Sequence, residues 1–230
     1  MKLENNKCFN CKIKSEIVSI LNFDELSFLQ KGCSQIEFDK GELIFKEGSP
    51  AGNIAYVRDG FIKLFKKGID GKDFILSISK KGAYIGIQHL NRKSKDYYFS
   101  ASALTKTQVC FIEIGSFEKL LKHNGIFATE VISYIFNDEM NYFDRLVNNV
   151  QQQLPGRLAH ALFYFKEQVY ECNPFNLNLT KSELASLIGT SRESVSRLLR
   201  EFHDAGIIEM NKNVIKILDE EKLEEIKLKG

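Results

Sequence analysis

The chain has 230 residues, 43% of them apolar and 27% charged, which allows one large or two ordinary domains of a soluble globular kind. Its net charge is only +2, so no global basicity advertises nucleic acid, and any such surface must be a local patch. Met1–Lys7 lacks the apolar run of a signal peptide and nothing later is long enough to span a membrane, so a cytoplasmic chain is expected, with its five cysteines as thiols or ligands rather than disulfides.

Residues 1–15 are polar and carry Cys8 and Cys11 as a C-x2-C pair. Ile17, Ile20, Leu21 and Leu29 recur at helical spacing, with Asp24 as an internal cap. From Gln35 to Ile114 short apolar runs follow one another, beginning near Ile36, Glu42, Ile54, Phe61, Phe74 and Val109. Gly41, Gly48, Gly60, Gly68, Gly71 and Gly82 separate them. Strands at this pitch predict a closed or rolled antiparallel sheet. Phe117–Leu121 reads as a short helix, and a long one spans about 126–154.

On that long helix Phe136, Met140, Phe143, Val147, Val150 and Leu154 are spaced 4-3-4-3-4, the seam of a coiled coil. Ile132, Ile135, Tyr142 and Leu146 form a neighbouring stripe. The combined apolar surface is wider than one interface needs, so one stripe is assigned to a second copy of the chain and the other to the sheet. Pro155-Gly156 is read as the break after this helix and as a domain boundary. The division is then a β-rich domain over 1–125, a dimerisation helix over 126–154 and a C-terminal domain over 155–230.

Within the last part, Arg157–Tyr170 is a helix. Thr180 and Glu183 form a capping box, and a helix runs from there through Leu184, Leu187 and Ile188. Gly189 ends it, and Thr190 or Ser191 caps a second helix whose apolar face is Val195, Leu198, Leu199 and Phe202. Arg192, Glu193, Ser196, Arg197 and Arg200 lie off that face. Such a unit lays its second helix in the DNA major groove. Runs from Ile207 and from Val214 flank the turn Asn211-Lys212-Asn213 and predict a β-hairpin wing, and Glu220–Lys229 is a charged terminal helix. No nucleophile–base pair, phosphate loop or H-E-x-x-H occurs, so an enzyme is not expected.

The ordered set of these features resembles the Crp/Fnr superfamily of bacterial transcription regulators over nearly the whole chain. Phe38-Asp39-Lys40-Gly41 with Phe45 and Gly48 resembles the opening motif of the family's β-roll. Gly60-Phe61-Ile62-Lys63-Leu64, Asp70-Gly71 and Gly82-Ala83-Tyr84-Ile85-Gly86 continue it, and Ser191–Arg197 closes the set. The resemblance implies an α+β chain: a cyclic-nucleotide-binding-like β-roll (jelly roll), a long dimerisation helix and a winged helix-turn-helix. It implies a homodimer on a near-palindromic double-stranded DNA site, and contact with, or obstruction of, RNA polymerase.

Arg197 can bond guanine O6 and N7 in a bidentate fork, or clamp a phosphate. Glu193, one turn earlier on the same face, can accept from a cytosine amino group, pair with Arg197, or serve as a capping partner of Thr190. The resemblance implies a shared TGA core for this Glu and Arg. Arg192 is similar to the cAMP-receptor branch, which favours TGTGA, and Ser196 to the oxygen-regulator branch, which favours TTGAT. Thr180, Lys181 and Ser182 are candidate phosphate contacts.

The cAMP-binding members place a Gly-Glu pair on the ribose and an Arg-Ser/Thr pair on the cyclic phosphate. Here Gly86 is followed by Ile87, and Phe99 stands near the arginine's place before Ser100, so cAMP is not expected. The oxygen-sensing branch resembles the cysteine pattern: Cys8 and Cys11 near the N-terminus, and Cys110 after Ala103, Leu104 and Val109. With Cys33 these make four thiolates for an iron–sulfur cluster. The N-terminal group has two close cysteines where that branch has three, and Glu113-Ile114 follows Cys110 two residues late. A zinc site, a thiol redox switch and plain buried thiols are the competing readings, and Cys172 is taken as structural or incidental. Haem through His89 or His123 is a further option, as is a regulator with no ligand or a bare small-molecule-binding module. Lys95 and Arg92 are read as solvated.

Overall fold

The computed structural model describes residues 14–68, 71–90 and 95–230. Cys8, Cys11, Asp70 and Arg92 lie outside the described residues. The chain divides into two compact units, one running to Lys66 and from Ser77 to Asp138, the other comprising Lys67–Leu76 and Glu139–Gly230.

The first unit is the β-roll, less the stretch Lys67–Leu76 that falls in the second. Two short helices precede it, α1 (Glu16–Ser19) and α2 (Phe23–Lys31). One helix with an Asp24 cap was expected; the chain instead restarts at Asn22. Its side chain accepts from the Glu25 N–H while the Glu25 carboxylate takes the Asn22 N–H, a reciprocal cap that Asp24, already inside the first turn, does not make.

The strands are β1 (Cys33–Phe38), β2 (Leu43–Phe45), β3 (Asn53–Asp59), β4 (Ile62–Lys67), β5 (Asp73–Ser79), β6 (Tyr84–Ile85), β7 (Ser100–Ala103) and β8 (Thr107–Glu113). They form two four-stranded sheets in the orders β1-β8-β3-β6 and β2-β7-β4-β5. The six runs picked out by apolar pattern correspond to β1 to β5 and β8. The two-residue β6 and the small-residue β7 carried no such pattern. Strands β3 and β8 are buried on both faces, which is why Ile54–Val57 and Val109–Ile112 read as continuous apolar runs rather than alternations. On the outer face Ile54, Tyr56, Cys110 and Ile112 pack against Leu26, Leu29, Phe117 and Phe127. Gly60 turns the chain from β3 to β4 at φ +87°, and a Cβ there would lie 2.5 Å from Thr107 Oγ1 and 2.6 Å from Lys106 O.

Helices α3 (Ile114–His123) and α4 (Gly125–Gln151) follow. Phe127 and Val131 of α4 are buried, and the Tyr134 hydroxyl accepts from the Tyr84 N–H at 2.9 Å. This sheet-facing row differs from the expected Ile132, Ile135, Tyr142 and Leu146: Ile132 and Leu146 are exposed, and only Ile135 and Tyr142 are half-buried. The seam residues Phe136, Met140, Phe143, Val147 and Val150 are 49–72% exposed in the single chain.

In the second unit α5 (Leu154–Tyr164) continues into a π-helical turn, Phe165–Val169. Pro155 does not end the long helix; it sits in the first turn of α5, where its missing N–H costs nothing. The break lies just before, at Gln152-Gln153. Then come β9 (Phe175–Asn176), α6 (Lys181–Ile188), α7 (Arg192–Asp204), β10 (Ile208–Asn211), β11 (Val214–Ile217) and α8 (Glu220–Lys229). The wing is β10-β11-β9, with Asn211 opposite Val214 and Lys212 at φ 53° in the turn between them. Strand β9 was not foreseen, because two residues carry no periodicity.

Candidate nucleic-acid interface and cysteine cavity

Helix α6 begins where the Thr180 hydroxyl accepts from the Glu183 N–H at 3.2 Å and Glu183 Oε2 takes the Thr180 N–H at 2.8 Å. It ends at Gly189, whose φ of +67° is the left-handed conformation a helix stop requires and a side chain resists. Two residues later Ser191, rather than Thr190, caps α7 by accepting from the Ser194 N–H at 3.2 Å. Leu184, Leu187, Val195, Leu198, Leu199 and Phe202 are buried, so the two helices are locked by apolar packing and the opposite side of α7 is left open.

That open side is a concave surface lined by Arg192, Glu193, Ser196, Arg197, Arg200, Glu201 and Asp204. The structure thus brings together five of the predicted reading residues and adds two acids. Thr180, Lys181 and Ser182 are exposed around the start of α6. The pairing of Glu193 with Arg197 is replaced. Arg197 Nη1 instead donates to Glu201 Oε1 at 2.8 Å, one turn further along. Glu193 serves the helix start: its own backbone N–H, the Ser191 hydroxyl and the Arg192 charge hold its carboxyl below the usual carboxylate range. Sequence reasoning stopped at Arg200 and missed Glu201 and Asp204, although their spacing of four and seven residues from Arg197 puts them on the same face.

In the β-roll, Ile87 lies in a short 3-10 turn, Ile87–Leu90, and is buried. Phe99, at the place the resemblance gives to an arginine, is also buried. Its ring lies 5.8 Å from that of Phe45 and 6.2 Å from that of His89. Tyr97 stacks on Phe45 at 4.0 Å and meets His89 edge-on at 4.9 Å. His89 is buried in this aromatic group, its Nε2 has no hydrogen-bond partner among the described residues, and burial pushes its pKa down. His123 is at the end of α3 with Nδ1 2.7 Å from Lys119 O.

Cys33 opens β1 and donates its thiol to Leu29 O at 3.2 Å; Cys110 is buried in β8. Register places Cys33 opposite Ile112 and Gln35 opposite Cys110, so the two thiols are diagonal neighbours on one face of the sheet. Both line a mostly apolar cavity of about 50 Å³ with Lys14, Leu29, Tyr56 and Tyr84. Cys172 is exposed. Among the described residues no three His, Cys, Asp or Glu side chains converge as a metal site.

Two family descriptions match the chain in order: a cyclic nucleotide-binding domain over residues 35–124 and a Crp-like helix-turn-helix domain over 156–226. The chain is 24% identical to electron transport regulator A of Shewanella oneidensis, over 94% of this chain and 88% of that protein. It is 24% identical to the anaerobic regulatory protein of Bacillus subtilis, over 84% of this chain and 83% of that one. The structure of FixK2 from Bradyrhizobium japonicum superposes with a TM-score of 0.77 at 19% identity, covering 84% of this chain and 96% of that one. A β-roll of the cyclic-nucleotide-binding kind followed by a helix-turn-helix defines a DNA-binding transcription regulator, not an enzyme. The chain belongs to the Crp/Fnr superfamily.

Proposed function

We propose that the protein works as a cytoplasmic homodimer that sets two α7 helices into successive major grooves of a near-palindromic DNA site with a TGA-containing half-site, and that it does so without cAMP. The observation that carries this reading is the concave open face of α7, with Arg197 on it and its apolar face locked beneath. Arg197 forks onto guanine, Glu193 accepts from cytosine, Arg192, Ser196 and Arg200 set the flanking bases and phosphates, and Thr180, Lys181 and Ser182 hold the backbone. The exposed seam of α4 supports the pairing of two copies, which spaces the two readers about 34 Å apart. Bound beside a promoter, the dimer would act by touching RNA polymerase or by blocking it. Independence from cAMP is supported by Phe99, whose ring offers a cyclic phosphate no charge and packs against Phe45 and His89. Selection of bound duplexes from random DNA, with and without cAMP, tests the whole reading. A recovered palindrome with TGA half-sites and no cAMP effect is expected; recovery of no consensus refutes it.

A second reading, regulation by redox state or oxygen, is favoured by one observation: Cys33 and Cys110 share a cavity that is also lined by Lys14, three residues after Cys11 in sequence. Two thiols in one apolar cavity fit half of the four-thiolate set of an iron–sulfur cluster, with Cys8 and Cys11 as the other half. Such a group, when bound, supplies redox chemistry; the chain's own part is to hold it beside the β1–β8 pair. Anaerobic purification with metal analysis tests this. A brown, air-bleached protein is the expected result, and a colourless, metal-free protein that binds its site alike in air and without it refutes the reading.

A further inference from the structure

Arg197 has two ways to meet DNA, a guanine edge or a phosphate, and its surroundings decide between them. A guanidinium has five N–H donors in a fixed planar fork. Glu201 occupies Nη1 at 2.8 Å, one of those five donors. Guanine needs only two parallel donors, so the Glu201 contact and a guanine fork are compatible on one arginine. A phosphate clamp is not favoured in the same way, because Glu201 lies on the reading face and its carboxylate repels any phosphate drawn to Arg197.

The rest of the face has the same balance. Arg192, Arg197 and Arg200 are matched in number by Glu193, Glu201 and Asp204, so the concave surface is near neutral. Binding to arbitrary sequence draws on phosphate neutralisation. A near-neutral reading face gives little of it, and base contacts must supply the difference between right and wrong DNA.

We infer that Glu201 is a positioning residue for Arg197: it holds the guanidinium toward a guanine edge and off the phosphates, and so sets the specificity of the half-site. This rests on α7 being the DNA reader. Glu201 is exposed and half of an i,i+4 surface pair, so Glu201→Gln leaves the helix and its packing intact.

The test uses the full-length protein, the duplex that wild type enriches from random DNA, the same duplex with the guanine facing Arg197 replaced, and a random duplex. In E201Q the preference for the guanine site falls by about twofold per half-site, roughly fourfold for a site with two, as expected for loss of one such surface pair. Affinity for the random duplex rises. The slope of log affinity against log salt steepens by about 0.9 for each Arg197 that moves to a phosphate. In an R197A background E201Q changes neither the guanine preference nor the slope beyond R197A itself. A merely structural Glu201 would lower affinity for all three duplexes equally. If E201Q keeps the guanine preference and the salt slope of wild type, the inference is overturned. If wild type enriches no site at all, the DNA-reading assignment falls and takes this inference with it.

Discussion

Replacing Phe143 by alanine perturbs the proposed dimer without touching the core of either unit. The ring is 49% exposed in the single chain, on the same stripe as Phe136, Met140, Val147 and Val150. A phenylalanine offers roughly 150–250 Å² for burial, so about 100 Å² of this one awaits a partner. At about 25 cal/mol per Å² that area contributes about 2.5 kcal/mol, of which alanine keeps a small part. Two copies of the change in a symmetric dimer then cost about 4 kcal/mol, or roughly a thousandfold in the dissociation constant. Sedimentation equilibrium across a concentration series reads that shift directly, and circular dichroism checks that helix content is unchanged. Binding to a full palindrome should weaken with dimerisation, while binding to a single half-site should not. An unchanged dimer constant would refute the assignment of this stripe to a second copy, whatever the oligomeric state of the wild type.

Arg197→Ala should abolish footprinting on the selected palindrome and leave the dimer folded, since each bidentate base contact is worth about 1–3 kcal/mol of discrimination and the side chain is exposed; an unchanged footprint would refute its role. Thr180→Ala removes the α6 cap and should cost about 1 kcal/mol in a denaturant melt. Thr180→Asp retains the cap, so weakened DNA binding at unchanged stability would mark Thr180 as a phosphate neighbour, and unaltered binding would remove it from the interface. Gly60→Ala should lower the stability of the β-roll by more than about 1 kcal/mol, because the backbone is at φ +87° and the new methyl meets Thr107 and Lys106. Gly41→Ala, at φ +92° with open space, is the control for strain alone. His89 is held neutral by burial, its pKa below the ordinary value of 6.5. The unfolded chain therefore binds more protons below that pH, so stability is intact above about 6.5 and falls as pH drops toward the folded value. His89→Phe should flatten that fall in acid melts. His160, also lowered by burial and by the Lys227 charge, contributes in the same direction, and an unaltered profile in the variant would show that His89 is not the source.

How much of this was legible in the chain follows from which physical effects are local. Helix α7 was readable because its signals sit within a turn of each other: a serine cap, apolar residues at helical spacing, and a glycine stop before it. The β-roll was readable as a roll because six of its eight strands carry apolar runs between glycines. Strand β7, four small residues, is a strand only because β2 and β4 lie on either side of it, and no local rule contains that fact. The sheet-facing row of α4 was misread for a related reason. Periodicity says that two stripes exist, but which one is covered depends on where Tyr84 and the outer face of the sheet stand.

The side-chain pairing on α7 is the sharper case, since helical spacing allowed either outcome. Arg197 has a glutamate four residues before it and another four residues after it, and both are on its face. What separates them is the competing demand on Glu193. It stands in the first turn, where its own backbone N–H, the Ser191 hydroxyl and the Arg192 charge favour its ionised form. Glu201, in the last turn of the helix where backbone N–H groups are already bonded within the ladder, has no such alternative and is left for the arginine. The helix start, two turns before Glu201, therefore competes for the glutamate that would otherwise pair with Arg197. Moving the cap should move the pair: Ser191→Ala frees Glu193, and a double-mutant cycle between positions 193 and 197 should then show a coupling that is absent in the wild type.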